Sequence, residues 1–75
     1  MSKNVFRVEY ESFIEARNLR VICLDRAAPT IDSKNVKICG RVYPFFFMFD
    51  NPCGIGLNNV PELPSSLIGE AVEFV

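Results

Sequence analysis

Val36-Lys37-Ile38-Cys39-Gly40-Arg41-Val42-Tyr43-Pro44-Phe45-Phe46-Phe47-Met48-Phe49 holds five of the nine aromatic residues of this chain. Val36, Lys37 and Ile38 alternate apolar and polar, the period-two mark of a half-buried strand. Cys39-Gly40 suits a two-residue hairpin loop, because glycine accepts a positive φ. The spacing predicts a returning strand over 41–49. On it Tyr43, Phe45, Phe47 and Phe49 share one face, assigned to the core, and Val42, Pro44, Phe46 and Met48 share the other. Pro44 has no N–H to donate to a ladder, so this strand belongs at a sheet edge. An uncharged edge with two apolar faces calls for cover from another molecule. Val42, Pro44, Phe46 and Met48 are therefore the candidate partner-binding residues.

Working outward, Phe6, Val8 and Tyr10 alternate with Arg7, Glu9 and Glu11 in a first strand. The adjacent Phe13 and Ile14 break the alternation and point to a bulge or bend there. A rival reading makes Tyr10 to Arg17 one amphipathic helix. Arg17-Asn18 is the expected turn, since asparagine tolerates left-handed dihedrals. Leu19 to Leu24 is apolar on both faces and reads as a central strand covered on both sides. Asp25 to Lys34 is a polar connection, with Pro29 against a continued strand and Ile31 returning to the core. Asp50 to Gly54 reads as a turn and Ile55-Gly56-Leu57 as a short strand whose glycine admits close approach. A loop punctuated by Pro61 and Pro64 then leads to a closing strand over Ala71 to Val75. The sum is one all-β domain spanning 1–75, with five to seven short strands in a small closed or partly open antiparallel β-barrel of Greek-key type.

Composition narrows the function. Seventy-five residues with 49% hydrophobic content make a globule with a thin stability margin. No apolar run approaches the ~20 residues of a membrane span, and the N-terminus lacks a secretory h-region. Three scattered cysteines fit free thiols in a reducing compartment, so a cytoplasmic location is expected, although one disulfide among them stays open. With no histidine and no Cys-x-x-Cys pair, no metal site is expected, even with Asp50 as a further ligand. Lack of histidine also removes the Ser-His-Asp and Cys-His arrangements, so no enzymatic activity and no cofactor are expected. Glu9 and Glu11 read as a solvated strand face. Cys39 reads as a turn cysteine, with activation by nearby Arg41 the lesser alternative.

Charge is lopsided. All eight Lys and Arg lie in residues 1–41 with five acids, net +3, whereas 42–75 carry four acids and no base, net −4. Arg7, Arg17, Arg20, Lys37 and Arg41, with Tyr43 and Phe45 among them, are the candidate nucleic-acid surface, as in small barrels that stack bases on aromatics. The pI of about 5.3 argues against that surface.

The order of motifs resembles the second domain of translational GTPases such as elongation factor Tu. The residues are Phe6-Arg7-Val8, Arg17 before Leu19-Arg20-Val21, and Lys34-Asn35-Val36-Lys37-Ile38-Cys39-Gly40. Gly54-Ile55-Gly56-Leu57 and Ile68-Gly69-Glu70-Ala71-Val72 complete the series. The resemblance implies that family's β-barrel as a standalone domain. It implies no GTP chemistry, because no Gly-x-x-x-x-Gly-Lys-[Ser/Thr] loop is present. The leading expectation is a non-enzymatic protein-interaction module, of inhibitor, immunity or self-associating type. An RNA-associated or translation-linked barrel is the alternative.

Overall fold

The computed structural model describes residues 5–28 and 33–75. The short polar lead at 1–4 and the return of Ile31 to the core lie outside the described residues. The chain forms β1 (Val5–Ile14), a 3₁₀ turn (Glu15–Arg17), β2 (Leu19–Leu24), β3 (Asn35–Ile38), β4 (Arg41–Pro44), β5 (Phe46–Phe47), β6 (Gly54–Asn58) and β7 (Ala71–Phe74). The strands make one antiparallel sheet in the order β4-β3-β7-β1-β2-β6-β5.

This open order overturns the expected closed or partly open barrel. The sheet ends in two edge strands, β4 and β5, and no ladder joins them. The reason lies in the segment first read as one strand. It breaks at Phe45, whose N–H still bonds Lys34 on the β3 side, while Phe46 and Phe47 pair with Gly56 and Ile55 of β6. Two segments joined end to end through one residue cannot lie side by side, so the two edges meet only through the chain.

Two turns behave as their residues dictate. Cys39 (φ 55°) and Gly40 (φ 80°) form the two-residue loop between the paired Ile38 and Arg41. Both central residues have positive φ, the primed geometry that matches strand twist. Asn18, at φ 50°, ends the 3₁₀ turn in the left-handed region, and its N–H bonds the Glu15 carbonyl at 3.1 Å. The rival helix over Tyr10 to Arg17 does not form, since β1 runs on to Ile14.

β1 holds the sheet together. Its Val5, Phe6 and Arg7 pair with β7, and Val8 to Ile14 pair with β2. The register shifts between Val8 and Tyr10, so the bulge sits at Glu9 and not at Phe13-Ile14. The bulge therefore falls where β1 exchanges one neighbour for the other, as an extra residue bends a strand. Phe13 and Ile14 sit next to the hairpin turn, where both remain exposed.

The inner faces of both halves meet in one cluster built on Val8, Ile22, Val36, Ile38, Ile55, Leu57, Leu67 and Val72. Aromatic rings continue it between the two edges. Phe74 packs edge-on to Phe6 and Phe45, each with centroids 5.1 Å away, and Phe45 packs edge-on to Phe47 at 5.0 Å. Phe47 thus faces inward yet stays exposed, and Phe49, past the end of β5, is fully in solvent, which corrects its assignment to the core.

Candidate docking face

Cross-strand partners share a face, and so do alternate residues along a strand. The register places Tyr10, Cys23 and Gly54 in one outer row, with Met48 beside Gly54 through its N–H to the Gly54 carbonyl. The next row is Ser12, Val21, Gly56 and Phe46. The third row includes Ile14 and Leu19. These rows make up the outer face of β1, β2, β6 and β5.

The two glycines of β6 shape this face. A Cβ on Gly56 would lie 2.4 Å from Cζ of Phe46, and one on Gly54 would lie 3.0 Å from Cγ of Met48. Phe46 and Met48 therefore fill the room that the missing side chains leave. Glycine earlier expected to admit another backbone instead admits side chains from its own neighbouring strand. Leu19 is buried, 5% exposed, yet lies outside the inner cluster. The outer face thus carries a small apolar layer of its own. Tyr10, at 61% exposure, stands open at its margin, and Phe46 remains 40% exposed.

β2 is central in the sheet, between β1 and β6, as expected. On its outer face Leu19 is buried, but Val21 and Cys23 are only half-buried, so the expected cover on that side is partial. Asn51 anchors the adjoining turn. Its Oδ1 accepts from the Cys53 N–H at 3.0 Å, and its Nδ2 approaches Cys23 Sγ at 3.9 Å.

The four partner-binding candidates separate. Phe46 and Met48 join Tyr10, Val21 and Cys23 on the outer face just described. Val42 and Pro44 lie on β4, opposite Lys37 and Asn35, and Lys37 stands opposite Glu73 of β7. That half of the sheet presents a mixed, charged outer face. Tyr10, Leu19 and Val21 were missed as members of the apolar face. The signal for Leu19 and Val21 was the second apolar face of Leu19 to Leu24, which reads equally as a doubly covered strand. Tyr10 was read on the face of Phe6 and Val8, and the bulge at Glu9 turns it to the other side.

The basic candidates hold the fold as much as they decorate it. Arg7 Nη1 donates to the Gly69 carbonyl at 2.9 Å, and Arg20 Nη1 to the Pro64 carbonyl at 2.8 Å. Arg20 Nε also lies 3.8 Å from Glu11, whose other oxygen accepts the Leu67 N–H at 2.7 Å. Glu11 is thus a clamp on the 59–68 loop and not part of a solvated pair with Glu9. Arg17 closes the 3₁₀ turn, and Lys37 and Arg41 sit in the β3–β4 hairpin. The register sets Lys37 of the basic part of the chain opposite Glu73 of the acidic part.

The cysteines are free thiols, and no group of potential metal ligands gathers among the described residues. Cys39 is exposed, and its Sγ lies 3.8 Å from Glu70. Loss of solvent contact pushes its thiol up from the ordinary range, and the Glu70 charge and hydrogen bond push it further. That is the opposite of activation by Arg41. The Tyr43 hydroxyl, buried without a hydrogen-bond partner, is also pushed up, first by desolvation and then by Glu62. No helix among the described residues is long and apolar enough to cross a membrane.

No family model matches this chain, and neither a curated protein nor a solved structure does. With the open strand order, this removes the support for a translation-factor domain 2 resemblance.

Proposed function

We propose that this chain is a non-enzymatic protein-interaction module that docks a protein partner through the outer face of β1, β2, β6 and β5. One observation carries the reading. Phe46 and Met48 lie over Gly56 and Gly54, next to Val21, Cys23 and Tyr10, and form an apolar layer of which Tyr10 and Phe46 stay exposed among the described residues. Contiguous apolar surface on a small domain marks an interaction site more often than scattered single residues do. No lysine or arginine belongs to these rows, so the face suits an apolar protein surface and not a phosphate backbone. The RNA-associated alternative has less behind it, since Arg7 and Arg20 already serve backbone carbonyls. A thiol enzyme is disfavoured because desolvation, and then Glu70, push the Cys39 thiol up and not down.

The test places a photo-crosslinking residue at position 48 and, as the control face, at position 37, in cells that make the protein. We expect a discrete adduct from position 48, absent from position 37 and abolished by Tyr10→Lys in the same chain. Equal adducts from both positions, or an adduct indifferent to Tyr10→Lys, would overturn the assignment of the face.

A further inference from the structure

We propose that the free edge of β1 between Tyr10 and Ile14 is a strand-addition site for an extended, basic-flanked peptide segment of a protein partner. The proposal rests on the protein-binding reading above and gives it a second, main-chain contact.

β1 has a neighbour on both sides only at its start. Val5 to Arg7 pair with β7, and Val8 is satisfied by Glu70 and Gly69. From Tyr10 to Ile14 the strand pairs with β2 alone. Backbone groups alternate in direction along an antiparallel strand. The Leu24 N–H donates to Cys53 on the β6 side, so Cys23 and Val21 turn their groups to β1. Their partners Tyr10 and Ser12 turn theirs to β2. Glu11 and Phe13 therefore aim their N–H and C=O at the open edge. Among the described residues, no loop backbone group bonds either of them.

A groove of about 380 Å³ lies against this edge, lined by Glu11, Ser12, Phe13, Arg20 and Ser65. A second cavity of about 220 Å³ adjoins it through Phe13 and Arg20, with Leu57, Val60 and Pro61 as apolar walls. Unpaired strand groups beside a side-chain pocket are the two parts of recognition by strand addition. The main chain supplies affinity and the pocket supplies selectivity. Here the incoming backbone bonds Glu11 and Phe13, and one aliphatic side chain enters the cavity.

Charge selects the occupant. Glu9 and Glu15 flank the edge and are both exposed. Arg20 pairs with Glu11 and Arg26 with Asp25, and among the described residues neither flanking carboxylate belongs to an ion pair. A partner strand with lysine or arginine at its ends meets both. A second copy of this chain fits worse. The antiparallel register that lets Glu11 and Phe13 exchange bonds with a copy is centred on Ser12, and it sets Glu9 against Glu15 of the copy. Like charges directly opposite destabilise a ladder.

The test titrates the isotopically labelled full chain, by amide NMR, with a capped heptapeptide. The peptide has lysine at each end, a central leucine, and valine or threonine between. We expect saturable shifts at Glu11, Phe13 and Leu57. Binding should weaken at least about tenfold when the end lysines become glutamates, or when alternate peptide amides are N-methylated. Three results would overturn the proposal. One is absence of shifts up to millimolar peptide, and another is equal binding by the glutamate-ended or N-methylated peptide. The third is a free chain that is already a dimer with Tyr10–Ile14 contacts between subunits. Loss of the position-48 adduct, by contrast, reports on the outer face and leaves the edge result intact.

Discussion

The two outer faces of this sheet use the same strand alternation to opposite ends. On β3, β4 and β7 the outward residues include Lys37, Val42 and Glu73, with unlike charges opposite each other. On β1, β2, β6 and β5 they are Tyr10, Val21, Cys23, Phe46 and Met48, laid across two glycines. Both halves contribute to one inner cluster. The charged face is what an ordinary solvated sheet looks like. The apolar face lies outside that cluster, and its exposed Tyr10 and Phe46 support the proposed docking role.

The contrast can be broken first on the inner side. Ile55→Ala, at a fully buried position of β6, should cost about 2–5 kcal/mol and lower the thermal midpoint sharply. Val21→Ala on the outer face of the paired strand should cost distinctly less. Equal losses in thermal unfolding would make the outer layer a second core. Gly56→Ala comes next, at about 1–3 kcal/mol, because its Cβ collides with the Phe46 ring. The ring must then swing outward, so binding of a hydrophobic dye should rise along with the loss of stability. Tyr10→Lys should change unfolding by no more than about 0.5 kcal/mol while abolishing the position-48 adduct. Lys37→Ala, on the charged face, should stay within about 0.5 kcal/mol and leave the adduct unchanged.

The smallest effect concerns Cys39. Its folded thiol is raised above the unfolded value, so the folded state holds this proton more tightly. The stability this contributes is present below the ordinary cysteine pKa and is lost as pH rises through the folded value. Alkylation of Cys39 near pH 8 should therefore be slower than that of a free thiol, and Glu70→Gln should speed it. A Cys39 that reacts faster than free cysteine would contradict the cause assigned to Glu70.

What was legible in the chain follows from interaction range. The Cys39-Gly40 hairpin could be read locally, because two positive φ angles need particular residues at adjacent positions. The Asn18 turn was readable on the same ground. The break at Phe45 was not, because its cause is a choice between two distant partners, Lys34 for its own N–H and Gly56 for the next residue. Nor was the role of Glu11, whose backbone partner, Leu67, lies 56 residues away. Of the four residues first grouped as a partner face, Phe46 and Met48 stay together. Val42 and Pro44 fall on the other half, since the bend at Phe45 ends the shared alternation.

By itself the sequence determined an all-β chain, its turns and most of its strands, because alternation and turn dihedrals are properties of neighbouring residues. Only the tertiary structure decided that the sheet ends in two edges, that Gly54 and Gly56 seat Met48 and Phe46, and that β1 runs past β7, so that Tyr10 to Ile14 pair with β2 alone among the described residues. A period of two says which residues share a face. Whether anything covers that face depends on pairings between residues far apart in the chain, and those exist only once it has folded.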